Sequence, residues 1–479
     1  MTSSPVPLDP DPDASEAEPR SLARDSVGTT LTHGALFLLG IVIWVTVARL
    51  LDPTWRGVLA LIMVAPGIVI KAGMLGMDQG MVVIGGADRS KLGPLTRTGV
   101  LYGLLMGLLL MALLLGFMWL FPMAFWRITQ LWLPRPFMAI TLVFPLHLMT
   151  MVYDGAIYAE DRIAARNTKE LVINATMLAI MFYAFFAWRL QLYGVIGAYI
   201  VANMVSLAYG WLLVRGRVEL SGPVSLDLAS RAVKLGFPVY LAQLASYLML
   251  PAMMILLSLV LPGEPTKNLA RIAFFAMGYQ MVDRILPVTR SVAFALLPKI
   301  TGGTDKSASD LAAKASRHTL LASLVLFVLL VLMMKPIVAI LLGKRYLPVV
   351  GAFAIMAPGG VALSVAGVWA AHLLARRRPL QVARAGIAGV VVALAIAGVG
   401  FAFGPQGREV LVASVSVVVG NIVQTALLLP TFCTVARLEA GEALVPRLAD
   451  VQEWRRIPGF IGEYLKRFRV RLQGVDGTA

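Results

Sequence analysis

Residues 57–86 read GVLALIMVAPGIVIKAGMLGMDQGMVVIGG, and residues 269–298 read LARIAFFAMGYQMVDRILPVTRSVAFALLP. Both are apolar and longer than a soluble core helix needs, yet both carry charges in their middles. Lys71 and Asp78 lie in the first; Arg271, Asp283, Arg284 and Arg290 lie in the second. Pro66, Gly67, Gly73, Gly76 and Gly80 interrupt one stretch, and Gly278 and Pro287 the other. Ionisable groups in an apolar stretch of this length are costly and mark functional positions.

The composition around these stretches fits a bilayer. The 479 residues are 58% hydrophobic and only 14% charged, too little polar material to cover a soluble globule. About twelve runs are long enough to cross hydrocarbon: 29–50, 57–86, 98–121, 137–158, 171–188, 193–214, 235–261, 269–297, 318–342, 347–374, 380–403 and 410–435. The expected fold is therefore an all-α polytopic membrane protein, with about twelve transmembrane helices in two six-helix lobes around a central cavity. The lobes span 28–220 and 221–436. Residues 1–27, rich in Pro, Ser and Asp with no apolar core, read as a disordered cytoplasmic tail. Residues 437–479 read as a basic amphipathic cytoplasmic tail.

Lys and Arg placement predicts the orientation. With the N-terminus inside, the cytoplasmic segments hold about 28 basic residues and the opposite side about 9, which predicts both termini in the cytoplasm. The net charge of +16 is then membrane topology, and nucleic acid is not an expected partner. From 453 to 472 the tail alternates apolar and basic residues, ending in Lys466, Arg467, Arg469 and Arg471. That pattern suits a helix on anionic membrane lipids, or a docking segment for a cytoplasmic partner.

The halves repeat one plan. Each opens with an apolar helix, a short outer loop and an interrupted second helix, and each sixth helix carries one Asn, Asn203 and Asn421. Two six-span halves that start on the same side are parallel repeats, and the space between them is the natural site. In matched register Lys71 falls opposite Asp283, and Asp78 opposite Arg290, with the signs reversed. Each pair is seven residues apart, so each is expected on one helix face. These charges read either as ion pairs between lobes or as a cationic, anion-binding cavity whose carboxylates gate it.

Several strings now resemble a known family. Arg49-Leu50-Leu51-Asp52-Pro53 followed by Arg56-Gly57-Val58-Leu59-Ala60 is similar to the first outer loop of the polysaccharide exporters. Those belong to the multidrug/oligosaccharidyl-lipid/polysaccharide flippase superfamily. Asp52 stands where that pattern has Gly. Ala295-Leu296-Leu297-Pro298 resembles their eighth-helix ending, and Leu342-Gly343-Lys344-Arg345-Tyr346 with Ala352 the start of their tenth helix. The resemblance implies a flippase for undecaprenyl-pyrophosphate-linked oligosaccharide repeat units, used for O-antigen, capsule or exopolysaccharide, in a bacterial inner membrane. It also implies polysaccharide polymerase machinery as a partner. Arginine offers paired donors to phosphate oxygens and keeps its charge when partly buried. Lys71, Arg271, Arg284 and Arg290 are thus candidates for headgroup contact, with Arg49 and Arg56 at the outer mouth.

Asp78, Asp283 and Asp154 are the candidate gating or ion-pairing acids. His147 and His372, in the fourth helix of each half, read as helix–helix hydrogen-bonding groups or proton-coupling sites. Cys433 is the only cysteine, so neither an internal disulfide nor a cysteine metal site is expected. No Walker-type loop, metal-ligand spacing or catalytic constellation is present, and no cofactor is expected. A membrane glycosyltransferase or ligase would need acids or bases on a sizeable outer loop, and residues 122–136 carry Arg127 and Arg135 but no acid. A cation-coupled multidrug exporter of the same superfamily is the second transport reading.

Overall fold

A computed structural model of the chain describes the backbone of residues 19–130, 134–218, 223–302 and 305–447, with side chains described in these ranges except at 19–31, 33 and 290–308. Among the described residues all regular structure is helical. The predicted tail segment 1–18 and the basic stretch 453–472 lie outside them. The first helix begins at Pro19, so the last residues of the predicted N-terminal tail are helical. Two compact units are present.

The first unit comprises residues 1–50, 77–114 and 135–235. It holds α1 (Pro19–Leu50), α3 (Met77–Ala87), most of α4 (Leu92–Leu120), α6 (Pro134–Thr141), α7 (Val143–Ala159), α8 (Ile163–Trp188), α9 (Gln191–Arg215) and the start of α10 (Leu226–Tyr247). Here α7 packs on α3 and α9, and α1 packs on α8. Burial separates centre from rim: 61% of the α6–α7 span is buried, against 11% of the α4 and α8 spans. On α4, Leu101, Leu105, Leu108 and Leu113 are exposed at helical spacing. A stripe of exposed leucines on a long apolar helix is a lipid-facing surface.

The second unit comprises residues 51–76, 115–134 and 236–479. It holds α2 (Pro53–Gly73), α5 (Pro122–Thr129), α11 (Met249–Val260), α12 (Pro265–Gly302), α13 (Asp305–Leu341), α14 (Val349–Ala375), α15 (Pro379–Phe403), α16 (Glu409–Ala436) and α17 (Ala440–Leu444). The core centres on α14, which packs against α12, α13 and α16. There Trp369 stacks on Phe432 at 5.7 Å and donates to the Ser316 hydroxyl at 2.9 Å. A buried indole N–H needs such a partner, which fixes the α13–α14–α16 packing. Past α16 the chain folds back as α17, where the Arg317 guanidinium donates to the Glu442 carbonyl.

Nine helices among the described residues are long and apolar enough to cross a membrane, and α10 with α11, bent by 41°, makes a tenth span. With α1, which contributes the apolar helix Gly34–Leu50, and α12, helices occupy every one of the twelve expected segments. The protein is an all-α polytopic membrane protein.

Of the interruptions expected in the two deciding stretches, the one at Gly76 is present and those at Pro66, Gly278 and Pro287 are not. In the first, Pro66 lies inside α2 without ending it; the break comes at Leu75 and Gly76, with φ of 48° and 83°. Proline in a membrane helix removes one N–H donor, and the lost bond is absorbed locally. Left-handed backbone at consecutive residues cannot be absorbed that way. A Cβ at Gly76 would lie 2.5 Å from the Gly236 carbonyl carbon, so only glycine fits. In the second stretch, Gly278 and Pro287 do not break the helix: α12 runs unbroken from Pro265 to Gly302.

Candidate functional site

The start of α2 is built by its sequence. Asp52, placed where the resembled pattern has Gly, caps the helix by accepting the Trp55 N–H at 2.9 Å, and Pro53 follows at the first turn. One turn on, Gly57 meets α12, where an added Cβ would sit 1.9 Å from the Leu269 carbonyl oxygen. This backbone-to-backbone approach draws Arg56 into the second unit. Arg56 is 8% exposed and donates from Nη2 to Gln280 Oε1 at 3.2 Å.

On α12, Arg284 lies one turn beyond Gln280, within ~40° of it around the helix. It is half-buried and close enough to Arg56 to act on it electrostatically. Arg56, Gln280 and Arg284 thus form a cationic, hydrogen-bonding cluster between α2 and α12.

The same ends are tied at two further points. Thr54 Oγ1 donates to the Thr266 carbonyl at 3.4 Å. Tyr346, wholly buried in a 3-10 turn (Lys344–Tyr346), donates its hydroxyl to the Leu51 carbonyl at 2.8 Å. The Tyr346 ring meets Phe274 edge-on at 6.5 Å, and the Arg345 guanidinium stands 5.4 Å from it. Burial pushes the Tyr346 phenol up to about 12, so it remains a donor at physiological pH.

The other expected site residues separate from this cluster. Arg271 lies ~180° from Gln280 around α12 and faces α16 instead, with its Nη1 3.6 Å from Glu409 Oε2. Lys71 is half-buried in the last turn of α2, while Asp78 begins α3 and accepts from the Gln79 amide at 2.9 Å. The expected shared face of Lys71 and Asp78 is therefore corrected: the break at Leu75 and Gly76 puts them on different helices and in different units. Asp283 is exposed on α12, and Arg49 is exposed at the end of α1. The Arg290 side chain lies outside the described residues.

Asp154 has a partner that sequence reasoning missed. The Lys169 ammonium on α8 pairs with its Oδ1, and the Lys169 side chain is 1% exposed. The signal was present: the tight turn between α7 and α8 at 160–162 makes the helices antiparallel, bringing 154 level with 169. Nearby, Asn167 is 1% exposed, and neither its side-chain nitrogen nor its oxygen has a hydrogen-bond partner among the described residues. His147 Nδ1 meets Asn203 Oδ1 at 2.8 Å, joining α7 to α9. His372 is fully buried, its ring edge-on to Phe432 at 5.3 Å. No group of three or more His, Cys, Asp or Glu placed to hold a metal occurs among the described residues.

The architecture has known counterparts. An inward-facing multidrug resistance transporter of the MATE family, within the MOP superfamily, matches with a TM-score of 0.66 at 13% identity over 84% of this chain and 94% of that one. The lipid II flippase MurJ, in an inward closed conformation, matches with a TM-score of 0.66 at 13% identity, covering 85% and 90%. A variant of the Vibrio cholerae MATE transporter VcmN matches with a TM-score of 0.57 at 15% identity, covering 86% and 98%. No protein-family model and no curated protein sequence matches the chain. The chain has the fold of the MOP-superfamily transporters and flippases.

Proposed function

We propose that the protein is a flippase that carries a lipid-linked oligosaccharide, joined to its lipid through phosphate, across the bacterial inner membrane by alternating access. The observation that carries this reading is the cluster of Arg56, Gln280 and Arg284 within an apolar helical fold. Two guanidinium groups beside one neutral amide form an electropositive site. Such a site suits a pyrophosphate, whose charge must otherwise cross a low-dielectric core unaided. No catalytic role is assigned to the chain, in keeping with the fold's transporter and flippase representatives.

In this reading the ties among Leu51, Thr54, Gly57, Thr266, Leu269 and Tyr346 close one end of the pathway, the end predicted to face outward. Phosphate bound at Arg56 and Arg284 competes with Gln280 for the Arg56 donors, which loosens that closure and favours release outward. A second reading, export of cationic compounds, has the fold's multidrug members in its favour. Against it, Asp154 is already neutralised by Lys169, and the cluster between α2 and α12 repels cations.

The test is the fate of lipid-linked oligosaccharide in a deletion strain. Intermediates should accumulate on the inner leaflet, clear with the wild-type chain, and persist with an expressed Arg56→Ala, Arg284→Ala variant. Normal clearance by that variant, or a deletion strain that loses only drug tolerance, overturns the reading.

A further inference from the structure

Between α7 and α9 the first unit has an open groove of about 330 Å³ that the cationic cluster does not use. Its walls are Leu146, Met149 and Tyr153 from α7, and Met204, Leu207 and Trp211 from α9. Both helices are membrane spans, so the groove between them lies at the depth of the bilayer's hydrocarbon. One end differs from the rest. The Arg215 guanidinium lies 4.5 Å from the Trp211 ring centre, where α9 ends, and Arg217 follows two residues on. Both arginines are exposed, and neither forms an ion pair among the described residues. Arg162 pins that end by donating to the Leu213 carbonyl at 2.9 Å, with Glu160 as its counter-ion at 3.1 Å.

The groove is thus apolar along its length, aromatic near its end and doubly cationic at its mouth. That order, read along the bilayer normal, matches a hydrocarbon chain ending in a phosphate at the interface. A polyprenyl phosphate presents one tail and one phosphate to this arrangement, whereas a two-tailed phospholipid must leave a chain outside the groove. Methionine walls add adaptability, because an unbranched thioether side chain repacks around a branched, irregular tail. The mouth also lies at the end predicted to face the cytoplasm, the side from which an outward-moving cargo is loaded.

We infer that the α7–α9 groove seats the polyprenyl tail of the phosphate-linked cargo, with Arg215 and Arg217 holding its phosphate before transfer. This inference rests on the flippase reading and adds the place where the lipid docks. Arg215 would contact phosphate through paired N–H donors while Trp211 keeps its guanidinium plane oriented.

The test uses the full chain in phosphatidylcholine vesicles with a polyprenyl monophosphate bearing a diazirine in its tail, with labelled peptides mapped by mass spectrometry. Label should concentrate on residues 146–153 and 204–211. Arg215→Gln should weaken groove labelling by about tenfold, the scale of one lost charge-assisted phosphate contact. Leu207→Trp should abolish it by filling the groove, with the thermal midpoint recorded to exclude misfolding. Unlabelled polyprenyl phosphate should displace the probe far better than phosphatidylglycerol. Three results would each overturn the inference: label spread equally onto the exposed α13 face of Leu324, Val328 and Leu332, no effect of Arg215→Gln in a folded protein, or equal displacement by phosphatidylglycerol. Groove labelling in a protein whose deletion strain clears lipid-linked sugar normally would reject the flippase reading while leaving lipid binding intact.

Discussion

At the scale of single residues, the buried charges divide into those paired with an opposite charge and those set beside a neutral partner. Lys169 belongs to the first kind, being 1% exposed and paired with Asp154. Replacing one partner alone strands a buried charge, which costs about 3–5 kcal/mol, whereas removing both together is far milder. Lys169→Met should therefore lower the thermal midpoint sharply in detergent, and Lys169→Met with Asp154→Leu should recover most of the loss. A double variant as unstable as the single would mean that the pair contributes more than mutual compensation. Tyr346 is the corresponding case for closure. Tyr346→Phe leaves the Leu51 carbonyl buried without its donor, a penalty of about 1–3 kcal/mol. In a Cys433→Ser background, Thr54→Cys should then react with a polar thiol reagent several-fold faster, and an unchanged rate would remove Tyr346 from the closure. Burial raises this phenol to about 12 from its usual value near 10. A raised tyrosine favours the protonated form in the fold. Its contribution is constant below about pH 10 and is lost as pH rises through about 12, so reagent access governed by Tyr346 should be flat across neutral pH.

At the scale of elements, α2 and α12 carry the account, and the sequence was legible for them in part. Apolar length marked both as membrane helices, and both carry charges within them. What could not be read was which of the expected interruptions break a helix. Pro66 and Pro287 are the strongest local breakers, yet both helices continue through them, because in an apolar fold neighbouring groups absorb a missing N–H. The break came at Gly76, one of the expected interruptions, with Leu75 beside it, where the Gly236 backbone approaches closely. The glycine was a local signal, but the long-range approach that makes it a break was not. Gly57 makes a similar demand with a direct test. A Cβ there would lie 1.9 Å from the Leu269 carbonyl oxygen, and backbone cannot yield as a flexible side chain does. Gly57→Val should force α2 from α12 and, through Arg56, abolish transport, while Gly116→Val, with open space around its Cβ position, should be tolerated. Equal tolerance at both positions would show that the α2–α12 approach is dispensable.

At the scale of the whole molecule, twelve apolar segments predicted twelve helices because hydrocarbon leaves a spanning backbone few alternatives. The candidate site was legible in kind more than in membership. Arg56 and Arg284 stand together, but Arg271, one of the expected headgroup contacts, faces Glu409 on α16. A register argument ranks residues by sequence position, whereas the face a side chain presents depends on helix rotation, which neighbouring helices set. Lys169 and Glu409 were missed for the same reason: each gains meaning only from the residue that packing brings to it. The central claim is that the chain moves a lipid-linked, phosphate-bearing glycan through the cationic cluster of α2 and α12. The most direct measurement is flipping of a fluorescent polyprenyl-pyrophosphate oligosaccharide in proteoliposomes containing purified wild-type protein or Arg56→Gln, Arg284→Gln. Wild type should expose the glycan to an external quencher, and the folded double variant should be slower by about tenfold or more, the scale of lost charge-assisted contacts. Equal rates for the two proteins, or no movement by wild type under conditions where it transports a cationic dye, would contradict the account.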